Sequence, residues 1–164
     1  MLKTKYFLLP VICFLLAGSG CQKSRGTLFV SHFDTAADLA LWSPSAEGQA
    51  EIESNYVKLK AVSGCFQYET ANEISVEKDK TYILKFKGKA EPTLLGETGY
   101  CANDFMVYVE QGNNNPVGVS FGNFTSWTQK TFSFTATSAS PVRIKFLIGT
   151  TKGVWLDELE FSEN

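Results

Sequence analysis

The sequence predicts an all-β protein, a two-sheet antiparallel β-sandwich of the jelly-roll type spanning residues 27–164. Three observations lead to this prediction. Apolar residues recur at every second position in many short segments after Thr27, as in strands with one buried face. Clusters of Gly, Asn, Ser and Pro separate these segments and mark turns. Only Thr35–Trp42 favours a helix, of one or two turns, with Asp34 or Thr35 as its cap.

The N-terminal residues are typical of an export signal. Lys3 and Lys5 precede the apolar run Tyr6–Ala17, and small residues follow it. The run is short for a bilayer span, so a permanent transmembrane helix is the lesser interpretation.

The small residues Gly18-Ser19-Gly20 lead directly into Cys21. This arrangement resembles a bacterial lipobox, although Gly18 replaces the usual leucine-like residue. The resemblance implies that residues 1–20 are a lipoprotein signal peptide, that Cys21 is lipidated, and that residues 21–26 form a lipidated tether. An ordinary cleaved signal peptide is the alternative. The expected location is the bacterial cell envelope, with a lipid anchor in a membrane, on the periplasmic or the outer surface.

The charge balance of the expected mature chain argues against nucleic-acid binding. Removing residues 1–20 takes away Lys3 and Lys5 and no acid, which shifts the net charge from −2 to −4. A nucleic-acid footprint needs a basic face. The remaining chain has the length of one domain.

Two cysteines remain once Cys13 is assigned to the signal and Cys21 to the lipid. They are Cys65 and Cys101, and in an exported protein we expect them to form a disulfide. Closing the loop between them stabilises by about 4 kcal/mol on the chain-entropy model. The alternative, two thiols on a metal ion, lacks neighbouring histidines or cysteines.

Ten segments are predicted as strands from their period-two pattern. They are Leu28–Phe33, Ala50–Glu53, Tyr56–Val62, Cys65–Glu69, Thr81–Ala90, Asp104–Glu110, Val117–Phe121, Thr131–Ala136, Val142–Ile148 and the closing segment Val154–Phe161.

The closing segment changes phase partway along. Val154 and Leu156 keep the alternation, but the next apolar residues are Leu159 and Phe161. A β-bulge at Asp157-Glu158 would return both to the buried face.

Four features together resemble galactose-binding-domain-like jelly rolls, especially carbohydrate-binding modules of the family 4 and 9 type. They are an opening strand ending in Phe33-Asp34 with a loop to Trp42, the Thr81–Ala90 strand, the Trp127 to Phe134 strand, and the closing Val154–Phe161 strand. The resemblance covers nearly all of the expected mature chain and implies this fold and carbohydrate binding.

The resemblance also implies a structural calcium ion near the last strand. Asp157 matches the acid of that strand, and Asp34 matches the acid that ends the first strand. Calcium binds six to eight oxygen ligands, which carboxylates and turn carbonyls provide. A bulge whose carboxylate accepts bonds from backbone amides, with no metal, is the alternative.

A candidate glycan face follows from aromatic residues that share phase with polar neighbours. Tyr108 shares a face with Asp104 and Glu110, Trp155 shares one with Asp157, and Arg143 and Lys145 occupy the polar phase of another strand. If these strands belong to one sheet, they form an aromatic and charged surface that suits a glycan. Tyr100, beside Cys101, adds a loop contact. The expected ligand-binding residues are therefore Tyr108, Trp155, Arg143, Asp104 and Tyr100. Alternatively, loops cover Tyr108 and Trp155.

Motifs for catalysis are weak. His32 is the single histidine, and no zinc spacing or nucleotide fingerprint is present. Three hypotheses remain: a lipid-anchored, non-catalytic module that binds a polysaccharide or oligosaccharide, a scaffold subunit with an envelope protein partner, and a small glycosidase. The glycosidase would use the acids Asp157, Glu158 and Glu160, but Trp155 stands where that motif needs a further acid.

Overall fold

A computed structural model describes residues 26–91, 105–112, 117–120, 124–149 and 152–164. The elements in these ranges are β1 (Thr27–Ser31), α1 (Ala36–Leu39), β2 (Trp42–Pro44), β3 (Gly48–Ile52), β4 (Val57–Ala61), β5 (Phe66–Thr70), β6 (Thr81–Ala90), β7 (Phe105–Gln111), β8 (Val117–Ser120), β9 (Thr128–Thr135), β10 (Val142–Ile148) and β11 (Val154–Glu163).

The strands form two antiparallel sheets. The six-stranded sheet contains β3, β4, β11, β6 and β9 in this order, and its sixth strand, β1, also pairs with β11. The five-stranded sheet has the order β2-β5-β10-β7-β8. The prediction of an all-β, two-sheet β-sandwich is confirmed.

The apolar faces of the two sheets meet in one core. Phe86 of the six-stranded sheet lies edge-on to Phe105 and Phe146 of the five-stranded sheet, at ring-centroid distances of 6.1 and 5.6 Å. Phe105 and Phe146 are stacked at 5.8 Å. Burying one such side chain stabilises the fold by about 1.5–3 kcal/mol, so these contacts fix how the sheets face each other.

Strand β6 shows how the sequence pattern gives this arrangement. Tyr82, Leu84 and Phe86 point into the core, whereas Lys85, Lys87 and Lys89 alternate with the buried positions and stay partly exposed on the outer face. Because successive side chains of a strand point to opposite faces, a period-two sequence specifies one wet and one dry surface.

The first half of the chain differs from the prediction in detail. Strand β2 was missed because Ser43 and Pro44 interrupt the apolar pattern. Trp42 at its start is buried, and its ring stacks on Tyr68 at 5.0 Å. The expected helix is one short turn capped by Thr35, whose hydroxyl accepts a bond from the Asp38 backbone amide.

Several predictions lie outside the described residues. These are the signal peptide, the lipidated Cys21, most of the tether, and the residues Tyr100, Cys101 and Asp104. In the described ranges, no helix has the length and apolar content needed to cross a membrane.

Candidate functional site

A row of paired residues crosses the outer face of the five-stranded sheet. From strand to strand it runs through Ser43, Glu69, Lys145, Tyr108 and Gly118, each directly opposite the next. Neighbouring strands are about 4.8 Å apart, so the row is roughly 19 Å long.

A groove of about 240 Å³ lies over the middle of this row, where Lys145 and Tyr108 belong to its lining. Its outward-facing side chains are Gln67, Tyr108, Glu110, Lys145 and Leu147. The groove therefore combines an aromatic ring and an aliphatic side chain with hydrogen-bonding groups, which is the usual composition of a small-molecule site.

Lys145 lies between two carboxylates in the groove. Its Nζ donates to Glu69 Oε2 at 2.9 Å and to Glu110 Oε2 at 2.5 Å. Burial lowers the pKa of Lys145, but the bonds to Glu110 and Glu69 outweigh it and raise the pKa above its ordinary value. The cluster is therefore an ordered set of donors and acceptors that stays charged at neutral pH.

The ring of Tyr108 depends on the glycine beside it. A Cβ at Gly118 would lie 2.3 Å from Tyr108 Cδ1, so the ring occupies the space that a side chain would take. The Tyr108 hydroxyl donates to Met106 Sδ at 3.1 Å. The missing side chain at position 118 allows the ring to lie over β8.

Arg143 lies two residues before Lys145 on the same face of β10, outside the lining of the groove, and is largely engaged with the backbone. Its Nη1 donates to the carbonyl oxygens of Thr70 and Ala71 at 2.9 and 3.2 Å. Carboxylate oxygens of Glu69 and Glu73 are each 3.9 Å from the guanidinium. Arg143 is therefore held by backbone carbonyls and adds a positive charge beside Glu69 and Glu73.

The shared surface was expected only if the strands of Tyr108 and Trp155 belong to one sheet, and this condition is not met. Trp155 belongs to β11 in the six-stranded sheet, whereas Tyr108 and Arg143 belong to the five-stranded sheet. Its side chain is 6% exposed, because Lys58 and Lys89 lie over the indole. The alternation of apolar and polar residues predicts correctly that Trp155 points to the outer face. It does not reveal which sheet the strand joins.

Three groove residues were missed as site candidates: Gln67, Glu69 and Leu147. The signal that could have found Gln67 and Glu69 is their outward phase on β5. Nothing local in the sequence indicates that β5 lies beside β10.

The predicted bulge in β11 is confirmed. Asp157 faces Lys87 and Glu160 faces Lys85, so two residues of β11 oppose the single residue between those lysines. Glu158 takes a left-handed backbone conformation with φ of 48°, and Leu159 returns to the core.

The bulge lies where β11 changes partners. Residues 154–156 pair with β4, and residues 159–162 pair with β1. The extra residue lies between these two segments. It therefore shifts the alternation of buried and exposed side chains at the point where the neighbour of β11 changes from β4 to β1.

The two predicted calcium ligands lie near each other beside the bulge. Burial raises the pKa of Asp157, and the carboxylates of Glu158 and Asp34 add to this, opposed by the Glu158 amide and Lys87. The negative field suits a cation. In the described ranges, no set of three or more His, Cys, Asp or Glu side chains is grouped to hold a metal, so Asp34 and Asp157 are not part of a larger cluster of such ligands.

No protein family model matches the chain, and no curated protein matches it. Solved structures do. The carbohydrate-binding module BiXyn10A CBM1 in its apo form aligns over 84% of this chain and 99% of its own, with a TM-score of 0.58 and 14% identity. The chain has the β-sandwich fold of carbohydrate-binding modules.

Two further modules align over a similar length. The CBM22-1 xylan-binding domain of Paenibacillus barcinonensis Xyn10C covers 85% of this chain and 95% of its own, with a TM-score of 0.55 and 12% identity. The module CBM6cm-2 of Cellvibrio mixtus lichenase 5A, in complex with cellotriose, covers 85% and 99%, with a TM-score of 0.54 and 9% identity. At these identities the likeness concerns the fold.

Proposed function

We propose that the protein is a non-catalytic carbohydrate-binding module that holds a polysaccharide or oligosaccharide in the groove of the five-stranded sheet. The observation that carries this proposal is the row in which Tyr108 lies beside Lys145, itself bonded to Glu69 and Glu110. The fold shared with carbohydrate-binding modules supports the same function.

The groove binds in two ways. The Tyr108 ring and Leu147 offer apolar contact to the C–H face of a sugar. The carboxylates of Glu69 and Glu110 accept hydrogen bonds from its hydroxyl groups, and Gln67 both donates and accepts. Because the charged cluster is already ordered by its internal bonds, little side-chain entropy is lost when the ligand binds.

The carboxylates favour a neutral glycan. Lys145 contacts two carboxylates, those of Glu69 and Glu110, so one positive charge faces two negative charges. An anionic sugar would meet the remaining acidic charge and be repelled.

We further propose that the chain is a lipoprotein of the bacterial envelope, anchored through Cys21, and that Cys65 pairs with Cys101. Intact-mass measurement of the purified protein tests both. A mass increment removed by deacylation supports the anchor. A two-dalton gain on reduction supports the disulfide, and the absence of either change contradicts the corresponding proposal.

Finally, we propose that Asp34 and Asp157 are carboxylate ligands of a structural calcium ion. When bound, the ion would supply a positive charge that compensates the acids at the bulge. No part in glycan binding is assigned to it.

Calorimetric titration with a panel of neutral oligosaccharides tests the main proposal. Tyr108→Ala should weaken binding at least about tenfold, and Tyr108→Phe, which keeps the ring, should bind within a few-fold of the wild type. A panel without any ligand for the wild type would overturn the proposal, as would a folded Tyr108→Ala variant that binds normally.

A further inference from the structure

A second aromatic surface lies on the outer face of the six-stranded sheet. Trp155 of β11 faces Lys58 of β4 on one side and Lys89 of β6 on the other. The Nζ atoms of Lys58 and Lys89 are 5.4 and 4.4 Å from the centroid of the indole, within the range of cation–π contacts. Glu53 Oε2 accepts a bond from Trp155 Nε1 at 3.1 Å. The buried indole is thus the floor of this surface.

Two more aromatic rings complete it. Trp127 directly precedes β9, whose first residue faces Gly88, the neighbour of Lys89. The Trp127 ring lies 5.3 Å from the ring of Tyr56 and 5.8 Å from Lys89 Nζ. Trp127 is 37% exposed, so part of its indole is open to solvent. Lys89 therefore lies between a buried indole and an exposed one.

In the described part of the chain, Lys89 has no close ion pair like those of its neighbours, and Glu53 acts on it only at longer range. Lys58 is bonded to Glu53 at 2.7 Å, and Lys87 lies 3.5 Å from Glu158. Among the residues that the structure describes, no carboxylate oxygen lies within 4.0 Å of the Lys89 ammonium. Aromatic rings attract a cation but do not neutralise it. An ordered positive charge is thus held beside an exposed indole face.

We propose that Tyr56, Lys89 and Trp127, above the floor formed by Trp155, bind an acidic glycan that contains uronic acid. The sugar ring stacks on the exposed face of Trp127, and its carboxylate accepts a charge-assisted hydrogen bond from Lys89. A neutral sugar has a ring that can stack on Trp127 but no anionic group for Lys89. A phosphate group has the anionic charge for Lys89 but no ring to stack on Trp127. The site lies on the sheet opposite the groove and extends the proposed function to a second ligand class.

Titration of the full-length protein with short oligomers of galacturonic, glucuronic and mannuronic acid tests this inference. The same oligomers with their carboxyl groups reduced to alcohols are the neutral controls. Tryptophan fluorescence and calorimetry report the binding. We expect one of the acidic oligomers to bind, and its reduced form to bind at least about tenfold more weakly.

Matched variants locate the site. Lys89→Gln and Trp127→Ala should each weaken binding of the acidic oligomer about tenfold or more, while Lys89→Arg retains it. Lys60→Gln removes a lysine that lies on the same face opposite Gln49 and should have little effect. Tyr108→Ala changes only the groove, so unchanged uronate binding in this variant separates the two sites.

Four outcomes overturn the inference. They are the absence of binding to every uronate oligomer, equal binding of the acidic and reduced forms, equal losses in Lys60→Gln and Lys89→Gln, and normal binding by a Lys89→Gln variant. If Trp127→Ala unfolds at low temperature, the comparison of Lys89→Gln with Lys89→Arg tests the inference instead.

Discussion

The indole nitrogen of Trp42 donates a buried hydrogen bond to the hydroxyl of Ser31 at a distance of 3.1 Å. Ser31 ends β1 in the six-stranded sheet, and Trp42 begins β2 in the five-stranded sheet. The bond therefore joins the two layers at a point where Phe33 also packs on Trp42. It satisfies a polar group that the core would otherwise leave without a partner.

Replacing Ser31 with Ala should destabilise the protein by about 1–3 kcal/mol, because the Trp42 donor would remain buried without an acceptor. Urea denaturation measures the change. Ser133→Ala, on the outer face of β9, is the matched control and should shift stability by less than about 0.5 kcal/mol. Equal stability of the two variants would show that the bond between the sheets contributes little.

The left-handed backbone at Glu158 predicts an unusual order of substitutions. Gly should be more stable than Ala at this position by about 1 kcal/mol, since Gly takes positive φ without a steric penalty. Comparing Glu158→Gly with Glu158→Ala cancels the loss of the contact with Lys87, which both variants share. Val should be the least stable. An Ala variant as stable as the Gly variant would contradict the conformation.

The bond between Glu53 and Trp155 predicts a pH dependence. Hydrogen bonds from Lys58 and then Trp155 lower the pKa of Glu53 below its ordinary value of 4.5. Because the folded pKa is depressed, the stabilisation is complete above 4.5 and is lost as the pH falls through the lower folded value. The indole N–H resonance of Trp155, assigned with Trp155→Phe, should shift with a midpoint below 4.5.

Glu53→Gln is the control for this titration, because it keeps an oxygen acceptor that does not ionise. The indole resonance of Trp155 should then stay constant through the acidic range. A midpoint at or above 4.5 in the wild type would mean that the hydrogen bonds do not hold Glu53 in its charged form.

Calcium should stabilise the wild-type protein. At a free concentration one hundred times the dissociation constant, a single site contributes about 2.7 kcal/mol, which appears as a higher melting temperature than in a chelator. Asp157→Asn should abolish the calcium-dependent part of that increase. Asp79→Asn removes an exposed acid that is distant in sequence from Asp34 and Asp157, and this variant should keep the calcium-dependent increase in melting temperature. A wild-type melting temperature that does not change with calcium would leave the bulge as a purely structural feature.

Local patterns in the sequence predicted most strands. The remaining strand, β2, depends on contacts with distant parts of the chain, which a local pattern does not show. The alternation in β6 and β10 marks two faces without ambiguity, and the phase slip after Leu156 located the bulge. Strand β2 escaped notice because Trp42 is its only buried residue. The short strand is held by pairing with β5 and by ring packing rather than by its own pattern.

The candidate site was predictable only in part, because a site depends on which strands are neighbours. Tyr108 and Lys145 are directly opposed, yet the two strands β8 and β9 lie between them along the chain. Glu69 reaches the same cluster from β5, much earlier in the sequence. Side-chain phase gives the face of each strand, whereas the order of strands in a sheet follows from the packing of the whole core.

The position of β11 affects how the protein acquires its structure. This strand contacts β4, β1 and β6, and no other described strand of its sheet touches three neighbours. Until residues 154–163 are available, three separate segments lack the partner that brings them into one layer. Assembly of that layer is therefore a late and long-range event, and a nascent polypeptide in which β11 has not yet emerged would remain open and sensitive to proteases.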